Sequence, residues 1–341
     1  MRYYDIKITN PQTGADVLPS SLQGRPISSL FPDGSTNPGA LNIQYDIAQL
    51  AFNNPDTNSW VRIWGLGIKD TSAALDLNGM NISVSAGMSK GLPLANPAQR
   101  GLFVKGTIFQ AFGNWVGTDM TVDLNIRAGG GSSDAPLNFP FTWKAGTPLG
   151  IAIGQTLSIA MPTFKQNIQV SPKLIINHDE TGHYETAEQF ADFINERSQP
   201  IIGGTYRGVT IATNGETVNV FDGTVAPQTS AIKQIAFQDM IGQPTWINIQ
   251  EISVIFVARG DLNVGDIIHI PPAVYTLTLA SVPRFQDRTN FTGNFLISQI
   301  HHYGNFRQAD AASWNTTVQA IYLPADIVPQ GTVTIDPLQV K

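Results

Sequence analysis

"ISQIHHYGNFRQADAASWNTTVQA", residues 297–320, sets two adjacent histidines beside a tyrosine and a tryptophan thirteen positions on. How it reads separates an enzyme from a structural β protein. With its flanks it is strand, turn, strand. Residues Asn294 to Tyr303 alternate, "GNFRQADAAS" is a polar turn, and Trp314 to Leu323 alternate again, with Trp314, Thr316, Val318, Ala320 and Tyr322 on one face. Neighbours in a strand point to opposite sides, so His301 and His302 do not converge on one ion. No carboxylate on the hairpin is spaced to complete a zinc set. The plainer reading is a structural histidine that donates to a backbone carbonyl across the sheet.

The same alternation fills the N-terminal part. "LNIQYDIA" puts Leu41, Ile43, Tyr45 and Ile47 on one face, and "DMTVDLNIRA" does so with Met120, Val122, Leu124 and Ile126. "WVRIWGLGI", "MNISVSAG" and "GLFVKGTIFQAF" lie between them, punctuated by Gly, Asn and Pro, which reads as a small antiparallel barrel or sandwich. "AGGGSSDAP", residues 128–136, ends it as a linker by composition.

The middle differs. "AGTPLGIAIGQTLSIAMP" offers Thr147 as a cap and Pro148 at the first helical position. In "ETAEQFADFINERSQP", Thr186 and Gln189 make a capping box ahead of an apolar face of Ala187, Phe190, Ala191 and Ile194. Asn214-Gly215 in "VTIATNGETVNVF" signals a hairpin. Further on, "INIQEISVIFVA" reads as one long strand and "VGDIIHIPPA" as a short one.

Charged residues make up only 13% of the 341, against about 25% in a typical soluble domain, so much of the surface is uncharged and polar. Such a surface suits a protein packed against others. A net charge of −6, with no run of basic residues, argues against a grip on nucleic acid, although passage through a neutral conduit needs no binding. With no cysteine there is no thiolate nucleophile and no disulfide scaffold. The start has no apolar run of signal-peptide length, and the most apolar stretch, about fourteen residues, is too short to cross a bilayer.

The hairpin carries a family resemblance. An apolar strand, a His, a Gly-containing turn and Trp-x-Thr-x-Val-x-Ala is similar to the last barrel hairpin of baseplate hub proteins from contractile-tailed bacteriophages. It also resembles the hub part of type VI secretion spike proteins. The matching positions are Ile297, Ile300, His302, Gly304, Trp314, Thr316, Val318 and Ala320. "VRIWGLG", "NGMNISVSAGM", Val104-x-Gly106-x-Ile108 and "GTDMTVDLNIRAGG" resemble strands of the family's first barrel. The chain departs at Asn305, Phe306 and Arg307, where an acidic residue is usual, and in the bulkier "SKGLPLANPAQRG".

The resemblance implies a mainly β fold with a smaller α+β insertion, two similar antiparallel tube-like barrels flanking a helix-containing domain. On that basis residues 1–132 form the first barrel, 133–228 the insertion, 229–325 the second barrel and 326–341 an extended tail. It further implies a homotrimer whose pseudo-sixfold ring adapts a sixfold tail tube to a threefold central spike. The partners are then the tail tube protein, the spike, wedge proteins of the baseplate and the tape measure protein. The location is the virion tail, assembled in the host cytoplasm, with DNA passing the lumen unread and no membrane insertion. No cofactor, metal or catalytic residue is implied. Two rivals stand beside it: a tube initiator or terminator, and a tail-associated peptidoglycan hydrolase. A sixfold tube subunit needs only one barrel per chain, which favours the hub.

Other motifs are weaker. "GMSKG" around Ser89 matches a nucleophile elbow, but the prolines that follow do not open a helix. "NHDETGHYE", residues 177–185, gathers His178, Asp179, Glu180, His183 and Glu185 without the spacing that sets two ligands on one helical face, and reads as a solvated loop. Asp261 and Asp266 lack the spacing of a calcium loop, and "GGGSSD" lacks the Lys of a phosphate loop.

Overall fold

The computed structural model describes residues 1–52, 59–90, 96–128, 136–162, 164–204, 206–214, 217–224, 232–271, 291 and 293–323. The order begins β1 (Arg2–Thr9), β2 (Ile27–Ser28), β3 (Asn42–Gln49), β4 (Ser59–Trp64), α1 (Ile68–Ser72), β5 (Asn81–Met88), β6 (Gly101–Val116) and β7 (Asp119–Ala128). The middle holds β8 (Phe139–Trp143), α2 (Leu149–Ala160), β9 (Lys165–Gln169), β10 (Glu180–Tyr184), α3 (Ala187–Ile202), β11 (Thr210–Asn214) and β12 (Thr217–Phe221). The last part holds β13 (Lys233–Gln234), β14 (Thr245–Asn248), β15 (Glu251–Val257), β16 (Ile267–Ile270), β17 (Gly293–Asn305) and β18 (Trp314–Leu323).

The protein is mainly β, and its two outer parts share one curled antiparallel sheet, ordered β14-β15-β18-β17-β3-β4-β7-β6-β5-β1-β2. Each half of the sheet bends over its own apolar core. Ile43, Tyr45, Val61, Leu124 and Ile126 anchor the first, and Ile252, Val254, Phe256, Ile297 and Val318 the second. Burial of these Ile- and Val-rich faces drives the curl, each fully buried aliphatic side chain contributing about 1.5–3 kcal/mol. A third core, built on Phe139, Phe141, Trp143, Ile153 and Phe190, belongs to the middle segment. There β12 pairs antiparallel with β11 and parallel with β9, while β8 pairs with β10.

Both expected helices form. At α3 the Thr186 hydroxyl accepts the Gln189 N–H at 3.3 Å, and Gln189 Oε1 accepts the N–H of Glu185 rather than that of the cap itself. At α2 the expectation is off by one: Pro148 is the cap, with extended backbone, and no side chain caps the helix. Thr147 instead offers its carbonyl to Trp143 Nε1 at 2.7 Å. Strands β11 and β12 pair with Asn214 opposite Thr217. The Gly215 turn, the 128–136 linker from residue 129 to 135 and the tail from 326 lie outside the described residues.

Three strand readings need correction. "INIQEISVIFVA" is not one strand but the β14–β15 hairpin. Asn248 turns the chain there: its Oδ1 accepts the Gln250 N–H at 3.0 Å and its Nδ2 donates to Glu251 at 2.9 Å, an Asx turn that alternation conceals. In β17 the alternation slips at a bulge between Ile297 and Gln299, so Ile297 and Ile300, three apart, are both buried. At the end of β18 Tyr322 leaves the shared face and is exposed, while Leu323 turns in.

Candidate functional site

Strand β17 belongs to both halves of the sheet. Its first part, Gly293–Leu296, pairs with β16, and its second, Ile300–Asn305, pairs with β3. The bulge lies between the two, held by Ser298 Oγ, which contacts Gln319 O at 3.0 Å and Glu251 Oε1 at 3.1 Å. β18 follows β17 along its whole length. The outcome is a seam where one unit's sheet runs into the other's without a break.

The two histidines sit on opposite faces of this seam. His302 is fully buried and stacks on Phe103 of β6, ring centroids 3.8 Å apart and planes 11° from parallel. The Thr316 hydroxyl accepts the Arg259 N–H at 3.0 Å and donates to Arg259 O at 3.2 Å. With its hydrogen thus committed, Thr316 receives a hydrogen bond from His302 Nδ1 at 2.9 Å. His302 Nε2 then faces Gln49 Nε2 at 3.4 Å as acceptor, and Gln49 also donates to Phe103 O at 2.7 Å. The expected bond from a histidine to a backbone carbonyl is therefore replaced by one to a hydroxyl, because Thr316 stands opposite His302 in the register. Burial, with a smaller push from His301, drops the His302 pKa to about 3, so the ring is neutral. His301 points outward, where Nε2 lies 2.5 Å from Asp46 of β3.

Arg259 extends the chain of contacts. Its side chain, only 4% exposed, meets Asp261 through Nε at 2.8 Å and Nη2 at 2.7 Å, and Asp239 through Nη1 at 3.2 Å. Asp239 in turn accepts Gln99 Nε2 at 2.8 Å from the first unit. A buried guanidinium left unpaired would cost several kcal/mol, so the two carboxylates hold it where it is. Beside this ion cluster the backbones touch. A Cβ on Gly101 would fall 2.2 Å from Gly260 O, which only hydrogen permits, and Gly260 N–H donates to Gln99 O at 2.8 Å.

The turn of the β17–β18 hairpin is sunk into the first unit. Trp314 belongs to the first core, where Nε1 donates to Gly87 O at 2.8 Å and its ring lies edge-on to Tyr45. Gly304 abuts the Tyr45 ring so closely that a Cβ would fall 2.2 Å from it. Arg2 ties the turn down by donating to the carbonyls of Asn305, Phe306, Gln308 and Asp310, and Arg307 donates back to Ala40 O at 3.0 Å. The residues that carried the resemblance thus divide: Trp314 fills one core, Val318 and Ala320 the other, and His302 and Thr316 bridge them.

The remaining sequence candidates serve structure. The 177–185 stretch is mostly strand β10, not a loop. There Glu180 takes Arg197 Nε through both oxygens at 3.0 and 2.8 Å, His178 contacts the same arginine, and Asp179 accepts the Ala145 N–H. Asp266 pairs with Lys233 at 2.6 Å, and burial raises its pKa against the lysine's pull. Ser89 N–H donates to Met1 O. Among the described residues no group of three or more His, Asp or Glu is arranged to hold a metal ion. No described helix is long and apolar enough to cross a membrane. A cleft of about 410 Å³ separates the middle segment from the second unit, with Arg207 already on Gln250 and Tyr206 on Asp222.

The seam, rather than a cleft, is the feature that sequence reasoning missed. Its partners are some 50 to 300 positions apart, beyond the reach of local periodicity. Only the Trp-x-Thr-x-Val-x-Ala pattern pointed to it.

In a comparison of folds the chain is similar to solved structures of phage tail proteins. One is the 43 kDa tail protein of prophage MuSo2 from Shewanella oneidensis, with 7% identity over 94% of this chain and 98% of that one, at a TM-score of 0.47. Another is a tail protein from Neisseria meningitidis, with 11% identity over 96% and 99%, at a TM-score of 0.48. A Francisella PdpA–VgrG complex matches with 9% identity over 98% of this chain and 60% of that one, at a TM-score of 0.45. No family model matches the chain, and no curated protein matches it.

Proposed function

We propose that this chain is a structural subunit of a contractile phage tail, the baseplate hub. Three copies form a ring of six similar β units. One side of the ring meets a sixfold tail tube and the other a threefold central spike. One observation carries the reading: a single chain holds two β units of matching strand order, fused edge to edge through β17 and β3. A threefold object can present near-sixfold symmetry only if each chain supplies two such units at a fixed relative position. The buried ties of Arg259, His302 and Trp314 supply that fixity. The sparse charge supports extensive packing against partners, and no bond-making step belongs to the role. The resemblance of the seam hairpin to hub proteins points the same way.

Mass photometry of the purified chain, alone and with a spike protein, tests the reading. Trimers are the expected outcome. Stable hexamers of the chain would favour a tube protein instead.

A further inference from the structure

The two β units repeat each other strand for strand, β3-β4-β7-β6-β5 in the first and β14-β15-β18-β17-β16 in the second. The repeat extends to their irregularities. The register shifts between Ile108 and Gln110 in β6, and between Ile297 and Gln299 in β17. Counting along the ladders from these bulges, Gly113 takes the place of His302 and Asn114 that of Tyr303. Counting through β4 and β15, Thr245 of β14 takes the place of Asp46 of β3.

In the second unit the far half of β17 is occupied by β3. In the first unit the equivalent half of β6 has β7 on one side and no described strand on the other, for β5 pairs only as far as Thr107. Asn78 caps the outward N–H of Ala111 at 2.7 Å and Thr71 O packs against Gly113, while no described strand borders this edge from Gly113 onward. β14, which ends the described strand order on the side of the second unit, pairs only with β15 among the described strands. Both edges carry apolar side chains in solvent. Trp115 is 66% and Val116 77% exposed at the β6 tip, and Ile249 is 95% exposed at the end of β14, beside half-exposed Trp246 and Ile247.

We propose that the far half of β6 in one copy pairs antiparallel with β14 of a second copy, Asn114 opposite Thr245, so that the contact between copies repeats the seam within the chain. The occupant of each open edge is thereby the other open edge. Since the two edges are different surfaces of one chain, the contact is head-to-tail, and it closes into the ring proposed above when each copy is turned a third of a revolution from the last. In this register Trp246 stands opposite Gly113, and the exposed Trp115 and Val116 meet Pro244 and Gln243. β14 is only four residues long and shifts register between Trp246 and Asn248, which guards the edge against indiscriminate pairing. This inference rests on the ring reading above and assigns its interface.

The chain has no cysteine, so cross-linking can be made specific. Residues directly opposite in an antiparallel pair have Cα atoms about 4.5–5.5 Å apart, within disulfide reach. Full-length chains carrying Asn114→Cys are mixed with chains carrying Thr245→Cys, oxidised, and run on denaturing gels beside sedimentation of the same samples. A reductant-sensitive dimer in the mixture, at least tenfold above either variant alone, is the expected result. A mixture that sediments as oligomers without the cross-link, or equal dimer from one variant alone, would overturn the assigned edges and leave the ring standing. A mixture that stays monomeric and uncross-linked would overturn the ring and the edges together.

Discussion

The β17–β18 and β6–β7 hairpins occupy the same place in the two β units, yet their far ends meet opposite fates. In β17 the outer positions hold His302, buried against Phe103, and Gly304, pressed on Tyr45. In β6 the equivalent stretch is Gly113 to Val116, ending in an exposed tryptophan and valine. The first has its neighbour strand built into the chain, and the second has none among the described strands. Where the neighbour is permanent, polar groups can be committed to a dry network. Where it comes and goes, the edge must survive in water, and its polar groups stay near solvent. The two tryptophans mark the contrast, since Trp314 is sealed in a core and Trp115 is displayed.

Several substitutions test that contrast. Trp314→Ala empties a core position and removes the bond to Gly87 O, and should cost about 3–5 kcal/mol in urea unfolding. Trp115→Ala should leave the isolated chain within about 0.5 kcal/mol of its starting stability, since it removes only a surface side chain. Equal losses at the two sites would erase the distinction between sealed and open hairpin.

Acid should act on the seam next. The folded chain holds His302 neutral down to about pH 3, whereas the unfolded chain takes up the proton near 6.5. This contribution is present in full above pH 6.5 and is lost as pH falls, by about 1.4 kcal/mol per unit. His302→Gln should flatten the slope of stability between pH 6.5 and 4 even if it lowers stability at pH 7. A slope unchanged by the substitution would show that other groups carry it.

Gly101→Ala forces a methyl onto Gly260 O and should cost about 1–3 kcal/mol, measured by thermal unfolding, with hydrogen exchange accelerated at Arg259 and Gly260. The smallest effect belongs to the outer face. His301 and Asp46 form a solvent-exposed pair, so His301→Ala should change stability by less than about 1 kcal/mol. That variant beside His302→Gln separates the two faces of one dipeptide.

Much of the fold was legible because it is written in local periodicity. The strand faces through Tyr45, Leu124 and Val318 emerge from alternation, and α3 from its Thr186 cap. The opposite orientations of His301 and His302 follow from strand geometry alone. What stayed hidden was non-local or irregular. The Ser298 bulge carries no compositional mark, and Asn248 turns the chain inside an apparently continuous strand. Arg259 is a buried cation whose partner Asp239 lies 20 positions away, and Asp239 is itself held by Gln99, 160 positions from the arginine. The seam can be anticipated only by recognising the hairpin pattern, since no window of sequence contains both β3 and β17.

Electron microscopy of the assembled chain viewed down its axis tests the central claim most directly. The account predicts threefold averages with six nearly equivalent lobes, neighbours joined alternately by the seam within a chain and the contact between chains. A ring of six chains, or an assembly in which the two units of one chain are not adjacent around the axis, would contradict it.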